Sequence, residues 1–484
     1  MSNAQSNVSL KELNAKLLAE IAEIKVENDE LKNKNVETIA FSNKIVELET
    51  ERTELKTRIV RLLRQSVEEN KPGITILDIE AELCGGCPGH LREPLAELWN
   101  TTNDQIPVLL AIEANLTMVD EILKPLLEEH STSFGGTYIN VITNRIIINT
   151  VDYTKVDIII SRMESYKHLF IFKNVTNSLV TLRNSFDQIS EQAKSLRPLN
   201  IACFIDMEVN NIVLYIWKGY NQYNRVFLEA IEPYNVIKRF VNQSSGPPPD
   251  TDVDDITIRT IATPILGGDG IINKVEDKLC SVGFWAKSKD LKTDYIVTAK
   301  HCALRPNSFF NHIQWNKTTD ISYFTLGYML QNFKSFDIGL IAFIGHYTFK
   351  LEMTIRNVDS ANSQLIIYDD EAVSSYGAHI CKSGYTTHVT CGFIKGFNGF
   401  FINERSQFNS QAIFSTAKVI KGDSGGTVFS YKQNLRHASL NGITNIGGED
   451  SNNYIHGYLP IKTISREFQV RPVLAGDSGN TSTN

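Results

Sequence analysis

Apolar residues return every seven positions through the first seventy residues. Leu10, Leu17, Ile24, Leu31, Ile45 and Ile59 hold one seam position, and Leu13, Phe41, Leu48, Leu55 and Leu62 hold the other. Such a heptad repeat predicts a coiled-coil helix over residues 1–70, because it keeps one apolar stripe facing a partner helix. Thr38, Arg52 and Ser66 at the first position, with Glu20, Glu27 and Lys34 at the second, interrupt the stripe. A dimer, a trimer and a marginal single helix are all compatible with this seam, and a homo-oligomer formed through it is one expected partnership.

From residue 71 the period changes. The runs 106–130 and 180–196 carry the three-to-four-residue spacing of amphipathic helices. Two further stretches match each other in type at nearly every position: YINVITNRIII from Tyr138 and FIDMEVNNIVL from Phe204. Each is a pair of apolar runs around an Asn-containing turn, which reads as a β-hairpin. Two copies 66 residues apart are too few and too widely spaced for a solenoid, so residues 71–245 are expected to form two related α/β subdomains. The stretch NQSSGPPPDTDVDD that follows, residues 242–255, cannot bury a core, and 246–261 reads as an exposed linker. Short apolar, β-branched runs then fill 262–470, and the polar end 471–484 is expected to be a disordered tail.

Gly-Asp-Ser-Gly occurs twice, in KGDSGGTVFS (421–430) and AGDSGN (475–480). Apolar runs follow Ser424, whereas only six polar or small residues follow Ser478. A nucleophile needs rigid support, so Ser424 is the candidate and the second copy is read as coincidence. A serine hydroxyl also needs a base and donors for the developing oxyanion. DYIVTAKHCAL (294–304) ends an apolar run at His301, and FKSFDIGLIAF (333–343) opens another with Asp337.

The order His301, Asp337, Ser424, with Gly-Asp-Ser-Gly-Gly around the serine, resembles the chymotrypsin-like serine proteases. KLCSVGFWAK (278–287) and ICKSGYTTHVTCGFI (380–394) resemble the alpha-lytic protease and streptogrisin branch, secreted enzymes made with a large folding prosegment. FGGTYI and CFIDMEVNNIVLYIW resemble the hairpins of the alpha-lytic prosegment. Joined to the coiled-coil helix that the heptads predict, the fold this implies is multi-domain: an N-terminal coiled-coil helix outside the family pattern, an α/β prosegment with β-hairpins over 71–245, and a C-terminal all-β, trypsin-like double six-stranded barrel over 262–470.

The function it implies is a serine endopeptidase acting on protein or peptide substrates through a triad of His301, Asp337 and Ser424 and an acyl-enzyme. The chain's own prosegment would be its intramolecular chaperone and inhibitor, with cleavage near Thr263. The backbone N–H groups of Gly422 and Ser424 would form the oxyanion hole, with Asp423 bracing the loop. The resemblance further implies bridges Cys280–Cys302 and Cys381–Cys391, closing loops of 22 and 10 residues, while the family's cysteine before the nucleophile is missing from STAKVIK. Val419, Thr444 and Gly447 fall on the walls of the specificity pocket. With no acidic residue at its base, the pocket is expected to take small to medium apolar side chains, Lys418 keeping its charge in water. This chemistry uses no metal and no cofactor.

Two residues depart from the family pattern: Lys300, where alanine or glycine stands, and Asn445, in place of the serine that supports the triad aspartate. They keep a second expectation in play, an inactive protease-like domain serving as an interaction module on a coiled-coil oligomer. The presence of His301, Asp337, Gly422 and Ser424 together speaks against it.

Composition excludes more than it assigns. A net charge of −7 gives no reason to expect nucleic acid, and no apolar run approaches the roughly twenty residues of a membrane-spanning helix. CGGCPGH (84–90) lacks a second Cys/His pair nearby, so Cys84, Cys87 and His90 read as a local bridge or inert thiols rather than a metal site. Paired cysteines point to an oxidising compartment, although MSNAQSNVSLKELN has no apolar signal core; extracellular secretion is the expectation.

Overall fold

The structure, a computed structural model, describes residues 92–243 and 263–476, apart from 306, 314, 316–324, 331–335, 361 and 451–452. The expected coiled coil, Cys84, Cys87 and His90, the linker 246–261 and Ser478 lie outside the described residues.

Both hairpins form where the apolar pattern puts them. Phe134–Asn140 pairs antiparallel with Arg145–Thr150, and Ile201–Asp206 with Asn211–Trp217. Asn144 and Asn210 in the turns have φ of 50° and 49°, a left-handed conformation that asparagine tolerates better than most residues. A long helix precedes each hairpin, Ile106–Glu128 and Leu179–Leu196. A short helix and a third strand follow, and that strand lies parallel to the second of the hairpin: Phe170–Asn174 beside Arg145–Thr150, and Ile237–Val241 beside Asn211–Trp217. The repeated motif is therefore one αββαβ unit used twice. In its second copy Ser178 caps the helix by accepting from Thr181 N, Arg197 ends it at φ 49°, and Leu182, Ile189 and Ala193 are buried in one core with the hairpin.

In the carboxy-terminal half, six strands pair in a ring: His379–Gly384, His388–Ile402, Phe408–Ser415, Asn453–Pro460, His437–Asp450 and Thr427–Tyr431, the last returning to the first. This closes a barrel. The other sheet, expected as a second six-stranded barrel, is an eight-strand path among the described residues. One of its end strands is Val470–Pro472, which pairs with Phe284–Ser288. Arg471 and Pro472, expected in the disordered tail, are therefore part of a sheet; Val470 and Pro472 are buried on its inner side, with Arg471 exposed between them.

The two halves share a sheet. Ile201–Asp206 pairs with the barrel strand His388–Ile402, matching Ile201 to Ile402, Ala202 to Phe401 and Cys203 to Phe400. Phe204 and Phe414, both buried, stack across this junction with ring centroids 4.6 Å apart. A second junction is polar. The helix Ile106–Glu128 buries Glu113 and Asp120 along with its apolar residues. Glu113 accepts from the His379 backbone N–H at 2.7 Å and pairs with His379 Nδ1, while Asp120 accepts from Thr137 Oγ1 at 2.5 Å and Ser375 Oγ at 2.6 Å. Carboxylates removed from water in this way require such partners.

Candidate active site

His301 lies on a single 3-10 turn, Lys300–Cys302, just after the strand Asp294–Thr298, and Asp337 lies just before the strand Gly339–Phe343. These strands are antiparallel neighbours with Thr298 opposite Gly339, so the two side chains emerge at the same end. The Cys280–Cys302 disulfide fastens the His301 turn to the strand Lys278–Ser281. His301 Nδ1 is 2.6 Å from Asp337 Oδ2, and the His301 backbone N–H donates to Oδ1 at 2.9 Å. Burial alone would raise the Asp337 carboxyl, but the charge and hydrogen bonds of His301, with help from Asn445, hold it below the ordinary carboxylate range.

Asn445 answers the question its sequence position raises. Its Nδ2 donates to the Asp337 carbonyl at 2.6 Å and reaches Oδ2 at 3.3 Å, so an amide does what a serine hydroxyl would do there. Sequence reasoning missed a second asparagine. Asn409, buried on the strand Phe408–Ser415, accepts from the Asp337 N–H at 2.8 Å. No local pattern around FNSQ points to this role.

The Ser424 loop is held from several directions. Ser281 donates its N–H to the Ser424 carbonyl at 2.8 Å and its hydroxyl to the Gly422 carbonyl at 2.7 Å. Gly425 N–H donates to the Thr444 carbonyl at 2.7 Å. Asp423 is buried and accepts from Ile420 N, Thr386 N, Thr387 N and Thr387 Oγ1, with Lys382 Nζ 3.2 Å away. It braces the loop, as the sequence implied. Gly422 has φ 102°, and a Cβ there would collide with Thr386 Oγ1, so only glycine fits. Among the described residues, no hydrogen bond uses the N–H of Gly422 or Ser424.

His301, Asp337, Gly422 and Ser424 line one cavity of about 680 Å³. A serine and an imidazole–carboxylate pair meeting between a closed β-barrel and a second β-sheet, on strand-end loops in this chain order, decide the comparison. Residues 263–476 combine a closed six-stranded barrel with a second β-sheet, an arrangement consistent with a trypsin-like β-barrel fold. No family model matches the chain, and no curated protein does. Solved structures that it resembles are protease A of Thermobifida fusca, at 20% identity over 44% of this chain and 100% of that one with a TM-score of 0.36, and a chymotrypsin of Cellulomonas bogoriensis, at 20% over 44% and 100% with 0.35. A Nocardiopsis protease matches at 20% identity over 43% of this chain and 99% of its own, with a TM-score of 0.35.

Within the carboxy-terminal half both expected disulfides are present, the second between directly opposite residues of the hairpin that holds Cys381 and Cys391. Val419 and Gly447 line the cavity; a Cβ on Gly447 would strike the Val419 side chain, so the two close one wall together. Thr444 does not line it. That residue is buried behind the wall, its hydroxyl 3.3 Å from His456 Nε2. Lys418 is exposed, with its ammonium 5.6 Å from the Tyr454 ring centroid. Three residues of the amino-terminal half, Asn200, Trp217 and Gln243, line the same cavity as the triad. Asn242, next to Gln243, exchanges backbone hydrogen bonds with Glu449, two residues beyond Gly447.

Proposed function

We propose that the chain is a serine endopeptidase made as a precursor, in which residues up to about 245 fold and then restrain the protease half. The observation that carries this reading is the meeting of His301, Asp337 and Ser424 on one cavity, with Asp337 engaged by His301 through both carboxylate oxygens. Ser424 Oγ attacks the peptide carbonyl carbon while His301 Nε2 takes the hydroxyl proton. Collapse of the tetrahedral adduct breaks the C–N bond, the imidazolium returns the proton to the leaving amine, and water hydrolyses the acyl-enzyme by the same route. Asp337 fixes the tautomer and stabilises the imidazolium. The unused N–H groups of Gly422 and Ser424 receive the oxyanion, each donor being worth about 3 kcal/mol of barrier.

The prosegment role rests on two contacts. A sheet continuous between the halves lets the amino-terminal hairpin template the barrel strand His388–Ile402, and Asn200, Trp217 and Gln243 at the cavity obstruct substrate until the connection is cut. The two disulfides favour an extracellular, oxidising compartment. Self-association through residues 1–70 completes the proposal. Reaction with a fluorophosphonate probe tests the enzyme: Ser424 should be labelled, Ser424→Ala should abolish labelling and Ser478→Ala should leave it intact. A native chain that stays unlabelled after the connection 246–261 is cut would favour the inactive interaction module instead.

A further inference from the structure

We propose that Asn409 is a positioning residue that holds the backbone of Asp337 in register with His301; the inference rests on the hydrolase reading above. Every polar atom of Asp337 is engaged. Its N–H donates to Asn409 Oδ1 at 2.8 Å, its carbonyl accepts from Asn445 Nδ2 at 2.6 Å, Oδ1 accepts from His301 N at 2.9 Å, and Oδ2 faces His301 Nδ1 at 2.6 Å. Asp337 precedes a strand of the eight-strand sheet, whereas Asn409 and Asn445 belong to strands of the closed barrel. The two amides therefore clamp the aspartate across the junction of the sheets, one at its backbone N–H and the other at its carbonyl.

The orientation of the Asn409 amide is set by its other contact. Nδ2 donates to the Gln407 carbonyl at 3.1 Å, which leaves Oδ1 to face the Asp337 N–H. The side chain is wholly buried and is not part of the cavity wall, so it acts through Asp337 and not on substrate. Its strand is also one removed from the prosegment hairpin: Phe401 lies between Asn409 on one side and Ala202 on the other. Docking of the hairpin thereby steadies the strand that carries the clamp.

The test is the rate of fluorophosphonate labelling of Ser424 in the full chain after cleavage of the connection 246–261, followed against pH. Asn409→Ala leaves the Asp337 N–H without its acceptor and should label roughly tenfold more slowly than wild type. Asn409→Asp restores an acceptor but sets a second carboxylate beside the Asp337–His301 pair. It should keep a near-wild-type rate at high pH and shift the midpoint of the profile upward by about one unit. The other charged groups at the cavity, Asp277, Lys278, Lys300, Glu404, Arg405 and Lys421, are common to all variants, Lys278 being the one that donates to the His301 carbonyl. Gln411→Ala alters the same strand, where Gln411 accepts from Thr463 and Arg466, and should leave both rate and midpoint unchanged.

A merely structural Asn409 would lower the melting temperature of Asn409→Ala without slowing the labelling of the chains that remain folded. An unshifted midpoint in Asn409→Asp overturns the proposal even where Asn409→Ala fails to form its disulfides, and so does a wild-type rate in Asn409→Ala. A folded wild-type chain that is never labelled, even once the connection is cut, overturns the hydrolase reading itself, and this inference with it.

Discussion

Lys382 and Asp423 form an ion pair that no solvent reaches: both side chains are 0% exposed, with Nζ 3.2 Å from Oδ2. Lys382 also donates to Thr387 Oγ1 and to the His388 carbonyl at 2.8 Å. Burial pushes its ammonium below the ordinary range, and the carboxylate beside it recovers only part of the shift. Removing one member of such a pair strands a buried charge, which costs more than the pair contributes.

Lys382→Met should therefore destabilise the chain by about 3–5 kcal/mol and slow labelling of Ser424, because Asp423 fixes the loop that aims the Gly422 and Ser424 N–H groups. Urea unfolding measures the first effect and probe kinetics the second. The double variant Lys382→Met, Asp423→Asn should recover part of the stability; additive losses would mean that the pair is not coupled.

His456 gives stability a pH dependence of known sign. Burial, reinforced by the Lys382 charge and opposed by Asp423, lowers its imidazole to about 3, and both ring nitrogens have hydroxyl partners in Ser415 and Thr444. An unfolded imidazole titrates near 6.5, so from there down to about 3 the unfolded chain binds a proton that the folded chain refuses. The contribution is fully present above pH 6.5 and falls as pH drops through this window, by about 2 kcal/mol at pH 5. Asp337 and Asp269, both held low, lose their contributions only below about pH 4, since lowered carboxyls titrate beneath the unfolded value. Comparing urea midpoints at pH 7.5 and 5 in the wild type and in His456→Asn isolates the histidine. His456→Asn should flatten the difference, and an unchanged slope would assign the effect elsewhere.

Phe204 belongs to the amino-terminal hairpin, but its ring packs against the carboxy-terminal barrel, stacked between Phe414 and Tyr215. Phe204→Ala should cost about 3–5 kcal/mol in the full chain. If the hairpin templates the barrel strand His388–Ile402, the variant should also refold more slowly, since a barrel of sequence-distant pairings depends on an early nucleus. Unfolding that accelerates while refolding keeps its wild-type rate would separate the docking contact from any folding role.

If the cavity takes a substrate side chain, the apolar Val419–Gly447 wall and the exposed Lys418 set the expected specificity. A positional-scanning peptide library should show cleavage after small to medium apolar residues. Dominant cleavage after Arg or Lys would sink the neutral-pocket argument, and dominant cleavage after Asp or Glu would mean that Lys418 turns inward on binding.

What was legible in the sequence was local. His301, Asp337 and Ser424 each stand at a junction between an apolar run and a short turn, so they could be singled out as candidates within a dozen residues, and the Asn-centred hairpins carried their left-handed turns in their own sequence. Tertiary structure alone decided the rest. Lys382 meets Asp423 across 41 positions and Asn409 meets Asp337 across 72, separations at which neither residue's neighbours hint at the other. The same holds for Val470–Pro472 completing a sheet with Phe284–Ser288, and for the hairpin strand Ile201–Asp206 extending the barrel. Periodicity tells which face of an element is apolar, and turn chemistry where it ends. Which distant element covers that face, and which buried charge finds its counter-ion, is settled only when the whole chain has packed.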